Sequence, residues 1–151
     1  MFFHGKIIAM VVVLGFLSLL SCGKAKQDSK NATPAESGEA ASIVHIIASE
    51  DEFSKIVEGS GDRLLAFDLY ANWCFPCRKL APLLEKIAIE HSSQVTFFKI
   101  NIDKLPGIAT TFGVDGIPHV AFIKKKAAVG TLIGMQPEEA YVDIINRNSA
   151  K

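Results

Sequence analysis

The fold is decided by one stretch of the sequence, Phe67-Asp68-Leu69-Tyr70-Ala71-Asn72-Trp73-Cys74-Phe75-Pro76-Cys77. It closes an apolar run that begins at Leu64, of the kind found in strands that are buried on both faces of a sheet. After Cys77, apolar residues recur every three or four positions, which is typical of one face of a helix. The sequence therefore predicts two cysteines at the junction between a buried strand and a helix.

A Cys-x-x-Cys pair at the start of a helix is suited to redox chemistry. The free backbone donors and the positive end of the helix dipole stabilise a thiolate. Cys74 is therefore the predicted nucleophile, with an exposed sulfur, and Cys77 is placed to close or resolve a disulfide. Pro76 suits the first helical turn. Structural zinc sites use the same spacing, but they need about four ligands and no second Cys-x-x-Cys is present. The spacing favours redox chemistry and leaves a metal site or incidental thiols open.

Strand-like and helix-like patterns alternate from Ile43 onward in the order β-α-β-α-β-α-β-β-α. This order predicts an α/β domain with a parallel portion, crossover helices and an antiparallel edge. Ser49 and Glu52 form a predicted capping box at the first helix. Pro82 falls inside the helix that follows the cysteines, and Pro137 opens the last helix. The strands are expected at residues 43–47, 64–70, 95–100, 119–124 and 128–133.

Several separated segments, in order, resemble the thioredoxin family across residues 43–148. Pro118 follows Cys77 by 41 positions, the spacing found in thioredoxins themselves. The resemblance implies a thioredoxin fold, with a central mixed sheet of about five strands flanked by about four helices. The segments are residues 67–79, Ala81-Pro82, Lys99-Ile100-Asn101-Ile102-Asp103, Phe112-Gly113-Val114 and Gly116-Ile117-Pro118.

The resemblance also implies roles for individual residues. Cys74 corresponds to the attacking cysteine and Cys77 to the resolving one. Asp68 corresponds to a buried acid that helps to move the proton of the resolving cysteine, and Lys99 to the lysine that pairs with this acid. The expected catalytic set is therefore Cys74, Cys77, Asp68 and Lys99.

A second set is expected to contact the substrate. Trp73 matches the tryptophan that flanks the site, and Pro118 matches a cis-proline that shapes the groove for the substrate backbone. Phe75 stands where thioredoxins have glycine, and His119 stands where they usually have threonine. We expect His119 to bind substrate backbone, to tune Cys74, to join both thiols around a metal, or to point into solvent. The expected substrate-binding set is Trp73, Phe75, Pro76, Ile117, Pro118 and His119.

These residues predict an enzyme, a thiol–disulfide oxidoreductase acting on protein thiols and disulfides. Phe75-Pro76 lacks the histidine that strongly oxidising relatives carry between their cysteines, so a reductant is favoured. No flavin or nicotinamide motif is present, so no cofactor is expected and electrons would come from a membrane-bound thiol donor. The alternative is a copper carrier that uses Cys74, Cys77 and His119. A role in cytochrome c maturation ranks second within the family, because residues 101–113 are as short as in plain thioredoxins.

The first 42 residues predict export and anchoring. Residues 1–21 have the pattern of a signal peptide, and their closing Leu19-Leu20-Ser21-Cys22-Gly23 resembles the lipobox of bacterial lipoproteins. An ordinary cleaved signal and an uncleaved anchor are the alternatives. Residues 22–42 are predicted to be a lipidated cysteine with a polar, flexible tether, and residues 43–151 the thioredoxin-like domain. We expect a monomer on the periplasmic side of a bacterial membrane. A formal net charge of zero predicts no general attraction to nucleic acid.

Overall fold

Five strands and four helices alternate along residues 43–149, the part of the chain that the computed structural model describes. The predicted order and the predicted α/β class with a mixed five-stranded sheet are both confirmed. The predicted signal peptide, Cys22 and the tether lie outside the described residues. The elements are β1 (His45–Ile46), α1 (Glu50–Gly59), β2 (Leu64–Tyr70), α2 (Phe75–Glu90), β3 (Val95–Asn101), α3 (Pro106–Thr111), β4 (His119–Lys124), β5 (Ala127–Ile133) and α4 (Glu138–Asn148).

Strand β2 is the middle strand of the sheet, whose order is β1-β3-β2-β4-β5. It runs parallel to β3 and antiparallel to β4, and β1 extends the parallel side while β5 extends the antiparallel side. All of β2 is buried except Tyr70, which is partly exposed. A strand that is covered on both faces needs an apolar sequence throughout, which explains the continuous run in residues 64–70.

The two faces of the sheet carry separate apolar cores, because successive side chains of a strand point to opposite faces. One core lies under α2 and α4 and contains Ala66 and Val120. The other lies under α1 and α3 and contains Phe67 and Ala121. This alternation places Asp68 on the face of α2 and α4, and it places the His119 side chain on the opposite face.

The predicted capping box of α1 and the predicted length of β1 are only partly confirmed. The Ser49 hydroxyl accepts a hydrogen bond from the Glu52 backbone at 3.1 Å, which confirms the predicted N-cap. The carboxylate of Glu52 accepts from the backbone of Ala48 at 2.8 Å, one residue earlier than in a regular capping box. Strand β1 is two residues long rather than the predicted five, and it pairs with β3 at the edge of the sheet.

The topology separates the two ends of the sheet. The ends of β2 and β3 and the start of β4 lie together, and the turn into α2 with its cysteines leaves from this end. At the other end, Ile43 lines a cavity together with Arg63 and Val95. The Arg63 guanidinium donates to the carbonyl groups of Ser92, Ser93 and Val95, which fixes the turn before β3. Within residues 43–149, no helix is both long enough and apolar enough to cross a membrane.

Candidate active site

A disulfide joins Cys74 and Cys77 at the N-terminus of α2, with their Cα atoms 5.3 Å apart. Cys74 is the N-cap residue, and its sulfur accepts a hydrogen bond from the backbone N–H of Cys77 at 3.2 Å. Pro76 occupies the first turn, where its missing N–H costs nothing. After reduction, the same helix end offers its N–H groups and positive dipole to a Cys74 thiolate. The sequence correctly places the pair at a strand–helix junction.

The disulfide is more deeply buried than the sequence predicts. Cys74 and Cys77 are each 3% exposed, so the expectation of an exposed nucleophilic sulfur is wrong for the oxidised protein. They pack with Ala71, and Ile117 contacts this cluster from the segment before β4. A partner therefore reaches the sulfur by contact with the residues that surround it.

The surrounding rim contains two exposed aromatic side chains, which flank Cys74 in the sequence. Trp73 is 67% exposed and Phe75 is 58% exposed. The Trp73 indole N–H donates to both carboxylate oxygens of Asp103, at 3.1 and 3.3 Å. Asn101 accepts from the Asp103 backbone and donates to the Asn72 side chain, so the loop before Cys74 is tied to the end of β3. Sequence reasoning missed Asp103, since this contact joins residues 30 positions apart.

A buried ion pair lies on the central strand. Asp68 is 1% exposed, and one of its carboxylate oxygens is 3.2 Å from the Lys99 ammonium. The strands hold the two residues side by side, because Asp68 on β2 is in register with Lys99 on β3. Burial raises the pKa of Asp68 above its usual value, and the positive charge of Lys99 offsets this only in part. Such a carboxyl group can hold a proton at a pH where an ordinary aspartate cannot.

Tyr141 on α4 is a further polar residue beside this pair, and no sequence pattern indicated it. Its side chain is fully buried in the core under α2 and α4. Burial raises the pKa of Tyr141, a contact with the backbone of Gln136 opposes part of this increase, and the negative charge of Asp68 adds to it. Neither the Tyr141 hydroxyl nor the second Asp68 carboxylate oxygen has a hydrogen bond of good geometry to any described residue.

The His119 side chain is buried, which contradicts the predicted contacts with solvent and substrate, while tuning of Cys74 stays a prediction. The Ile117–Pro118 peptide bond is cis, and the next residue, His119, is only 3% exposed. Its imidazole faces the core under α1 and α3, beside Leu69 on the neighbouring strand. Contact with substrate or with solvent is therefore wrong for this side chain. The register of β4 against β2 places the His119 side chain on the face covered by α1 and α3. This register could not be read from the sequence alone.

Metal binding gains no geometric support. Among residues 43–149, no three side chains of the His, Cys, Asp or Glu type are grouped closely enough to hold a metal ion. The expected set for a copper carrier, Cys74, Cys77 and His119, is thus not assembled here. The two sulfur atoms are joined to each other, and both imidazole nitrogens of His119 are buried without a hydrogen-bond partner in the described residues.

The buried carboxyl group makes a prediction for stability. Because the pKa of Asp68 is raised in the folded state, the folded protein loses stability as pH rises through that pKa. The free energy of unfolding of Asp68→Asn, taken relative to the wild type, should therefore increase as pH rises from acid to neutral. This relative gain should be lost again in acid, where the native carboxyl group is protonated. Denaturant unfolding across this pH range measures the difference. Asp62→Asn, an exposed change at the other end of the sheet, is the control, and an equal effect of both substitutions would contradict the account.

The buried histidine predicts an opposite pH dependence. Burial lowers the pKa of His119 below 6.5, and Asp115 only partly restores it. The unfolded chain then binds a proton that the folded protein refuses, so His119 lowers stability as pH falls below about 6.5. His119→Val should remove this component, which is at most about 1.4 kcal/mol per pH unit. Unfolding curves of the two proteins measure it, with exposed His45→Gln as control. Parallel stability curves for wild type and His119→Val would overturn this prediction.

Comparisons with known proteins agree with this geometry. The sequence model of the thioredoxin family matches residues 44–147. Thioredoxin from Alicyclobacillus acidocaldarius is 42% identical over 79 residues, which are 52% of this chain and 75% of that protein. Thioredoxin from Borreliella burgdorferi is 35% identical over 85 residues, 56% of this chain and 73% of that protein.

Solved structures show the same similarity. The X-ray structure of Fasciola hepatica thioredoxin superimposes with a TM-score of 0.66 at 29% identity, covering 70% of this chain and all of that one. The Malassezia sympodialis thioredoxin gives a TM-score of 0.64 at 29% identity, over 70% of this chain and 94% of that one. With a helix-capping disulfide on a five-stranded sheet, the chain belongs to the thioredoxin family and is a thiol–disulfide oxidoreductase.

Proposed function

We propose that this protein is a reductant of protein disulfides on the outer face of a bacterial membrane, held there by a lipid on Cys22. The observation that carries the direction of electron flow is the environment of Cys74. Within the described residues, its sulfur accepts one hydrogen bond, from the Cys77 backbone. A Cys-x-x-Cys pair becomes oxidising when its thiolate is strongly stabilised. Phe75-Pro76 supplies no side-chain donor, so the dithiol gives up its electrons more readily.

The reaction proceeds by two thiolate attacks. The Cys74 thiolate attacks one sulfur of the substrate disulfide, forms a mixed disulfide and expels the other substrate sulfur as a thiolate. The Cys77 thiolate then attacks the Cys74 sulfur, restores the Cys74–Cys77 disulfide and releases the second substrate thiolate. Two electrons pass to the substrate, and its thiolates take up protons according to their pKa values.

Asp68 is suited to the second attack, because Cys77 must lose its proton before it becomes a nucleophile. The raised pKa of Asp68 makes this carboxylate a better proton acceptor near neutral pH than an ordinary aspartate. The Lys99 ammonium, 3.2 Å away, partly compensates the negative charge of the buried Asp68 carboxylate. We therefore assign Asp68 as the group that accepts the Cys77 proton and Lys99 as the residue that positions and balances Asp68.

The position of Ile43 supports attachment through the preceding residues. Ile43 lies with Arg63 and Val95 at one end of the sheet, whereas the cysteines lie at the other end. A tether that joins the domain at Ile43 would thus be attached at the end of the sheet opposite the cysteines. The partners of the proposed function are oxidised proteins, together with a membrane-bound thiol donor that restores the dithiol. The domain acts as a monomer in this scheme.

The reduction potential of the Cys74–Cys77 pair tests the proposed direction. The detergent-solubilised full chain is equilibrated with glutathione or dithiothreitol, and its redox state is followed by Trp73 fluorescence and thiol trapping. We expect a reduction potential of about −200 mV or lower, and a value near about −120 mV would make the protein an oxidant.

Pro76→His supplies a side-chain donor between the cysteines and should raise the reduction potential by about 30 mV or more.

The lipid anchor is tested in bacterial cells that express the full chain. The wild-type chain should fractionate with membranes, and Cys22→Ser should not be lipidated. Metabolic labelling with a fatty acid reports the modification directly. Lack of label on the wild-type chain would overturn the lipid anchor, while the potential would still decide the reductase function.

A further inference from the structure

Two cations lie over the exposed Phe75 ring beside the nucleophilic cysteine. The Lys79 ammonium nitrogen is 4.5 Å from the ring centroid, and the central carbon of the Arg78 guanidinium is 5.5 Å from it. Both distances fall within the range of about 6 Å at which a cation is attracted to an aromatic face. The arrangement follows from the sequence spacing, since residues three and four positions apart are neighbours on a helix. We call Phe75, Arg78 and Lys79 the cationic rim.

The charges of the cationic rim are not neutralised within the described part of the chain. Ion pairs form there at Lys86, Lys99 and Lys125, and none involves Arg78 or Lys79. Arg78 donates to the backbone carbonyl of Asn72 at 2.7 Å, which orients the guanidinium without cancelling its charge. Both side chains are exposed. Two positive charges are therefore available to a carboxylate that arrives from outside.

The neighbouring acid does not compensate for them. Asp103 lies on the other flank of the site, where its carboxylate accepts from the Trp73 indole. The exposed surface around the disulfide thus has a carboxylate beside Trp73 and two cations beside Phe75. Lys104, which follows Asp103, is also exposed and forms no ion pair with a described residue. A peptide that approaches the sulfur therefore meets the Phe75 ring together with unpaired positive charges.

We propose that the cationic rim selects disulfide partners that carry Asp or Glu within a few residues of the cysteine that Cys74 attacks. This inference rests on the proposed exchange at Cys74 and adds the class of substrate. Because both cysteines are 3% exposed, a substrate sulfur reaches Cys74 only when its flanking residues contact the rim. Apolar atoms of the substrate pack on the Phe75 ring, and its carboxylate pairs with Lys79 or Arg78.

The selection acts on the rate of exchange in both directions. Attack of Cys74 on a substrate disulfide expels a substrate thiolate, and attack of a substrate thiolate on the Cys74–Cys77 disulfide expels Cys77. The two transition states differ, but in both a bond between the Cys74 sulfur and the substrate sulfur is partly formed beside the cationic rim. A substrate carboxylate that pairs with the cationic rim therefore accelerates both steps. Because the charges are exposed, the ratio of exchange rates between a substrate with a carboxylate and one without it should be modest, about threefold to fivefold at low salt. This ratio should decline toward one at about 0.5 M salt, where screening is strong.

The test uses three disulfide peptides that differ at one position beside the cysteine, which is Glu, Gln or Lys. Their exchange rates with the full chain are measured by Trp73 fluorescence and thiol trapping, for reduced protein with disulfide peptide and for oxidised protein with dithiol peptide. The expected order is Glu, then Gln, then Lys, and high salt should compress it. Lys79→Gln should weaken the preference and Lys79→Glu should abolish it, because the new carboxylate cancels the remaining charge of Arg78.

Two variants separate charge at the rim from other effects. Lys55→Glu makes the same change of charge at an exposed residue of α1, on the other face of the sheet, and should keep the preference. Phe75→Leu keeps apolar bulk but removes the ring that holds the cations, so it should reduce the preference. Equal rates with the Glu and Lys peptides, or an unchanged order in Lys79→Glu, would overturn the inference.

The outcome is independent of the proposed direction of electron flow. If the protein oxidises dithiol peptides but fails to reduce disulfide peptides, the reductase proposal fails, and the order of rates in the oxidising direction still decides the selection. If all three peptides are reduced at the same rate, the reductase proposal stands and the selection by the cationic rim fails.

Discussion

A carboxylate on the central strand of an apolar sheet is the constraint on which the rest of this active site depends. Burial opposes the ionisation of Asp68, and the Lys99 ammonium at 3.2 Å favours it. The burial effect is the larger, so the pKa of Asp68 rises despite the ion pair. Ionised Asp68 therefore lowers the stability of the folded protein, and it does so on the central, most buried strand. Asp68 lies on the same face of the sheet as α2, the helix whose N-terminus holds both cysteines, and in the proposed reaction it accepts the Cys77 proton.

The disulfide itself offers little surface to a partner, and this shifts recognition to the residues around it. Trp73 is oriented by Asp103, while Phe75 carries the cations of Arg78 and Lys79. In the proposed mechanism, reactivity and selection therefore reside in different groups. The helix N-terminus and Asp68 would govern the sulfur chemistry, whereas the cationic rim would govern which disulfides react. Substitutions on the cationic rim would then alter partner choice without disturbing the pair of Asp68 and Lys99.

The sequence predicts best what is set by neighbours along the chain. Apolar runs and helical spacing gave the order of the elements, and the family resemblance correctly paired Lys99 with Asp68. The face on which His119 lies depends on the register between two antiparallel strands, so its burial did not follow from the sequence. The bond between Trp73 and Asp103 joins distant segments and was missed for the same reason. The cations over Phe75 could have been found, because the three- and four-residue spacing was visible.

The most direct test is an NMR titration of the Asp68 carboxyl carbon in the oxidised full chain. The account predicts a midpoint clearly above the usual value of 3.8, because burial outweighs the Lys99 charge. In Lys99→Met the midpoint should rise further, since the charge that favours the carboxylate is gone. A midpoint at or below 3.8 in the wild-type protein would contradict the account. Asp68 would then be a permanently ionised partner of Lys99 and would not take up a proton during disulfide exchange.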